Sequence, residues 1–250
     1  MIVLTHPGGH AAVLQEAHAR MCGQLARAWG NERFGTVAPA ADVLLAADQH
    51  EIGMRDWDLA PELDAATGLP KPVTRMKLST HLPLRLQGPE LLEVLSPYAA
   101  LVASLHHTSF YEKPPLLGLV RRRGRQIRAY LRRSAAFQAR LKAAIDAPDA
   151  EIERNWRLVR TWDGLSHVLM YGRAPQRLEA VPAADGQPID LHITVRNGAH
   201  VVNPWPFGEP RLEVAVEGRL LEGTFDDRAR MHEALAKARR VELAYELVPA

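Results

Sequence analysis

Apolar residues recur at helical spacing from Ala11 to Trp29, at Val13, Ala17, Met21, Leu25 and Ala28, and predict a helix that Gly30-Asn31 ends. Before it, "MIVLT" is β-like and "HPGGH" is a turn signal. A second helix is expected from about Pro39 to His50, followed by an aperiodic, proline-punctuated loop, "APELDAATGLPKP". "GPELLEVLSPYAALVASLHHTSFYE" reads as two helical pieces, with Ser96 as N-cap and Pro97 at the first helical position. "KPPLLG" breaks the chain, and another helix is expected from about Arg121 to Ala144. "DAPDAEIERNWRLVRTWDGLSHVLMYG" opens on capping residues, repeats apolar positions at Ile152, Trp156, Val159, Leu165 and Leu169, and closes at Gly172.

After Pro175 the texture changes. "PIDLHITVRNGAHVVNPWPF" and "RLEVAVEGRLLEGTF" alternate apolar and polar residues, as half-buried antiparallel strands do. "DDRARMHEALAKA" is an amphipathic helix, and "RRVELAYELVPA" a last strand. The expected fold is mainly α: a helical body over residues 1–173 and a small α+β tail over 174–250 packed on it. "MIVLT" is available to pair with tail strands.

The 250 residues, 47% hydrophobic and 24% charged, suit one large globular domain or one domain with a smaller attachment. A net charge of +2 gives no global pull towards nucleic acid or an anionic membrane. The arginine-rich "VRRRGRQIRAYLRR" reads as a solvated helix face, and Tyr130 alone offers an aromatic for stacking on bases. One cysteine, Cys22, rules out an intramolecular disulfide and points to a reducing compartment. It lies within an apolar helix and reads as core. No secretory signal or membrane span is visible, so a soluble cytoplasmic protein is expected. There is no Gly-x-Ser-x-Gly elbow, and "HPGGH" lacks the context of a phosphate loop.

The 11 histidines carry the chemistry. His18 lies in the first helix, on one face with Gln15 and Cys22. His50-Glu51 ends the second, at the close of the small-residue run "LLAADQHE". His106 and His107 lie in the next, and Asp163 stands mid-way along the last body helix. Imidazoles and carboxylates hold divalent transition metals, and facing helices can bring them together. Adjacent helical residues point about 100° apart, so His106 and His107 cannot both face inward. His106, in line with Ala99 and Val102, is the inward one. The plain alternatives are a satisfied core histidine at 18, and an Asp163 hydrogen-bonded to Trp162, the backbone, Ser166 or His167.

The order of a lone His, a His-acid pair, a further His and a distant Asp resembles the HD superfamily of metal-dependent phosphohydrolases. "QEAHARMCGQLARAWG", "HEIGMRDWDLAPELDAATGLP", "SPYAALVASLHH", "WDGLSHVL" and "NPWPFGEPRLEV" together resemble a bacterial family catalogued only as a domain of unknown function, over almost the whole length. The HD resemblance implies an HD-like helical bundle. It also implies a metal site of His18, His50, Glu51, His106 and Asp163 with one or two divalent transition ions, manganese or iron. His107 and His167 would serve as general acid or outer partner, and the substrate would be a small phosphoester. Glu51 departs from the aspartate of that superfamily and leaves the number of metals open. The alternatives are a di-iron oxygenase on the same ligands, or a metal-free binding or scaffold protein.

Overall fold

"HPGGH" joins two strands, where the helical spacing from Ala11 onward predicts the approach to a helix. β1 (Ile2–His6) and β2 (Gly9–Val13) form an antiparallel hairpin, and α1 (Gln15–Ala28) begins only after it. Gly9 has φ +131°, and a Cβ there would come 2.2 Å from the carbonyl oxygen of Leu221, so this turn requires glycine. The computed structural model describes residues 1–112 and 121–250, the backbone alone for 121 and 122; the "KPPLLG" break lies outside the described residues.

α2 (Ala40–Gln49) is followed by a 3-10 turn (Ile52–Met54), the short α3 (Arg55–Leu59) and a two-residue ribbon, β3 (Leu63–Asp64) with β4 (Leu69–Pro70). α4 (Leu78–Glu93), α5 (Pro97–Ser109), α6 (Arg121–Ala144) and α7 (Asp149–Tyr171) complete the helical part. Ser96 caps α5 by accepting from the Ala99 amide at 3.0 Å, and Gly172 ends α7 in the left-handed conformation. The rest is β5 (Gln176–Val181), β6 (Ile189–Arg196), β7 (Ala199–Asn203), β8 (Leu212–Leu221), α8 (Arg228–Lys237) and β9 (Arg240–Pro249).

Seven strands form one curled mixed sheet in the order β1-β2-β8-β9-β7-β6-β5. Neighbours are antiparallel except β7 and β9. This corrects the expected mainly-α, HD-like helical bundle. Of the described residues 50% are helical and 23% strand, and the sheet is one wall of the main core. That core joins Ile2, Leu4, Ala11 and Val13 with Val214 and Val216 of β8 and with Trp162, Leu165 and Leu169 of α7. Met1, Ala12 and Leu221 go to a smaller core on the other side, under Met231 and Leu235 of α8. The period of two in β1 and β2 therefore feeds two cores, which a helix at that place would not do.

α4 brings its backbone against the 3-10 turn that follows Glu51. Gly53 and Gly88 meet there, and a Cβ on Gly53 would lie 2.3 Å from the Leu84 carbonyl oxygen. Gly53→Ala is expected to destabilise by about 1–3 kcal/mol through overpacking. A urea midpoint shift at unchanged slope would show this; an unshifted midpoint would mean the contact is slack.

Candidate metal centre

The small residues of α2 (Val43, Ala46 and Ala47 are buried) let it lie close to α1 and α5, so that its end carries His50 into the interior. Trp162 is fully buried against Trp29, with ring centroids 5.9 Å apart, and this fixes the rotation of α7. Asp163, the next residue, is thereby turned towards α1, α2 and α5.

Four imidazoles converge on its carboxylate. Asp163 Oδ1 lies 2.9 Å from His18 Nε2, 3.5 Å from His167 Nε2 and 3.8 Å from His50 Nε2, while Oδ2 lies 3.8 Å from His106 Nε2. Cys22, one turn beyond His18, places Sγ 3.9 Å from His18 Nε2 and 3.6 Å from Ser166 Oγ. His18, Cys22, His50 and Asp163 each offer a ligand atom, all within 4.8 Å of one another.

Outer partners fix the rings. His50 Nδ1 donates to the Ala47 carbonyl at 2.9 Å. Ser166 Oγ donates to the Asp163 carbonyl at 2.7 Å, which leaves its oxygen to accept from His18 Nδ1 at 3.2 Å. Both rings thus carry their Nδ1 proton outward and turn Nε2 to the carboxylate, the arrangement that metal-bound histidines take. His50 Nε2 and both ring nitrogens of His106 are buried with no hydrogen-bond partner. Unpaired buried polar atoms are costly, and a cation is the occupant that would satisfy lone pairs and carboxylate together.

Charge follows the same geometry. Burial alone would raise the Asp163 carboxyl, but His167, His18 and His50 hold it well below the usual range. Burial pushes His106 down to about 3 and lowers His167, so both rings are neutral. For His50 the pull of burial is outweighed by Asp163 and Glu51, and the ring is raised. Burial, and then the Asp163 charge, push the Cys22 thiol up.

Glu51 stands apart from this group. Its Oε1 accepts from Arg85 Nη1 at 2.7 Å and is 3.9 Å from His50 Nε2; Oε2 is buried and unpaired. Despite burial, Arg85 first and His50 second lower its carboxyl. His107 faces α4, accepting from Arg85 Nη1 at 2.7 Å. Arg85 Nε donates to His81 Nε2 at 3.1 Å, and His81 Nδ1 meets Tyr111 Oη at 3.0 Å. Of the sequence-derived residues, His18, His50, His106, Asp163 and His167 come together. Glu51 borders them, and His107 belongs to the Arg85 network. Cys22 and Arg85 are the participants that sequence reasoning passes over. Cys22 had a signal, its i, i+4 spacing from His18.

A helical layer on a curled sheet, with a buried His, Cys and Asp group able to hold a metal ion, is the class that fold and site define. The chain belongs to the family described as "Protein of unknown function (DUF3891)", whose model matches residues 1–223. No curated protein and no solved structure matches it. Among the described residues, no helix is long and apolar enough to cross a membrane.

Proposed function

We propose that the protein is a metal-dependent phosphohydrolase acting on a small phosphoester. The carrying observation is the convergence of the Nε2 atoms of His18, His50, His106 and His167 on the buried carboxylate of Asp163. The donor set of imidazoles, one carboxylate and a nearby thiol suits manganese, iron or zinc, with iron or manganese expected. A bound divalent ion would act as Lewis acid and lower the pKa of a bound water towards about 7.

One ion fits the charge better than two. Arg85 already neutralises Glu51, and Asp163 is the one carboxylate left facing the imidazoles. This also weighs against the di-iron oxygenase reading. The unpaired nitrogens of His50 and His106 weigh against a metal-free scaffold. His167 is the most exposed member of the cluster, a neutral ring with its face stacked on Tyr171 and Nε2 3.5 Å from Asp163 Oδ1. It would take a proton from the attacking water and pass it on to the departing alcohol oxygen, ending neutral as it began. Hydrolysis joins a water oxygen to phosphorus and breaks the ester P–O bond; one water proton ends on the alcohol.

p-Nitrophenyl phosphate with added Mn²⁺ tests the reading. Phosphate release should rise with Mn²⁺, fall with chelator, and vanish in Asp163→Asn. Metal-bound protein that releases no phosphate from any of a broad panel of phosphoesters would overturn it.

A further inference from the structure

We infer that the cleft beside the centre binds a phosphomonoester with a flat apolar body, and that Arg160 holds its phosphoryl group; this rests on the phosphohydrolase reading above. The cleft, about 690 Å³, runs between α7 and β5, and Asp163 and His167 form part of its wall. Their side chains are 9% and 34% exposed, against 1% or less for His18, His50 and His106. A substrate therefore meets the centre along this wall.

Three guanidinium groups line the same cleft. Arg157 is tied to Glu153 at 2.6 Å and Arg177 to Asp190 at 2.5 Å, so their charges are compensated. Arg160 pairs with no carboxylate among the described residues. Its Nη1 donates to Ser109 Oγ at 3.0 Å, and that hydroxyl donates to the His106 carbonyl at 2.7 Å. The tether is neutral: it positions the guanidinium without cancelling its charge. The planar fork keeps N–H groups for a bidentate oxyanion.

Its placement beside the metal centre is also fixed. Arg160, Asp163 and His167 are spaced i, i+3, i+7 along α7 and share one face. The Phe110 ring lies 5.4 Å from Arg160 Cζ and 5.0 Å from the His106 ring, so one aromatic side chain touches both the cation and the cluster. Phe110 is 37% exposed, and with Trp156 and Leu178 it gives the cleft an apolar side. An anionic group against Arg160 with a flat apolar group on Phe110 uses all of these surfaces; a neutral ester would leave the cation unpaired.

Calorimetric titration of the protein as purified with phenylphosphonate, which cannot be hydrolysed at its P–C bond, tests this, with benzyl alcohol as the neutral control. Wild type should bind the phosphonate and not the alcohol. Arg160→Gln should weaken binding about tenfold or more at unchanged metal content, and Arg160→Lys should recover part of the loss. Equal affinity in wild type and Arg160→Gln, equal binding of the alcohol, or no binding by wild type would overturn the inference. Arg160-dependent binding to protein that holds no metal would uphold the anion site and sink the phosphohydrolase reading.

Discussion

Protein purified without chelators or a metal-binding tag is expected to carry close to one equivalent of iron or manganese, and Asp163→Ala to carry almost none. The carboxylate is the common partner of every imidazole in the cluster, with contacts of 2.9–3.8 Å. Removing it deletes a ligand and also the negative charge that draws a cation into the midst of the imidazoles. Loss of an outer partner alone weakens a metal site roughly 10–100-fold, and this loss should exceed that. Thermal unfolding gives a second readout. Added Mn²⁺ or Fe²⁺ should raise the wild-type midpoint by mass action and leave the variant unmoved. Alanine costs nothing in helix propensity, but the variant loses the shared partner of the buried imidazoles and should be less stable, so a wild-type circular dichroism spectrum is the condition for the comparison. Elemental analysis that finds the same metal in both proteins would sink the assignment.

The other large effect lies at Arg85. Its side chain is 10% exposed and that of Glu51 is 4% exposed, so neither charge has water to fall back on. Arg85→Met strands the Glu51 carboxylate and leaves His107 Nε2 without a donor, and is expected to destabilise by about 3–5 kcal/mol. The double variant Arg85→Met with Glu51→Met should recover most of that, because a matched apolar pair often replaces a buried ion pair at little cost. A double-mutant cycle in urea reads the coupling directly. If Glu51 is the counterion of Arg85 and not a metal ligand, the double variant also keeps its single metal ion. A single variant costing under about 1 kcal/mol would show that water reaches this pair. A double variant without metal would return Glu51 to the ligand set.

The buried histidine cluster is the most legible part of this chain. Histidines and carboxylates on predicted helices stand out, and their order suffices to select His18, His50, His106 and Asp163. What does not show is what lies between distant segments. Arg85 sits in α4, which holds Pro83 and Pro89, so its first half has no clean helical period and nothing marks a buried cation. Cys22 has the spacing of a ligand yet the surroundings of a core residue. The sheet is hidden for a related reason: Ala11, Ala12 and Val13 are small and apolar enough to pass as the first turn of α1. Their pairing with β1 across the turn, and with β8 near the far end of the chain, makes them a strand. The cap that opens α5 and the glycine that closes α7 depend on neighbours in sequence, and so Ser96 and Gly172 read correctly.

The strand order has a consequence for how the chain folds. β9, the last strand to be made, lies between β8 and β7, and residues 1–223 stop short of it. Until it is in place, one side of β8 and one side of β7 present bare amide and carbonyl groups, an open template for another chain. The pairing of β2 with β8 joins segments about 200 residues apart, the slow kind of contact to form. A protein cut at the family boundary would keep every residue of the histidine cluster, yet it would lose the strand that joins the two halves of the wall on which α1 and α7 rest.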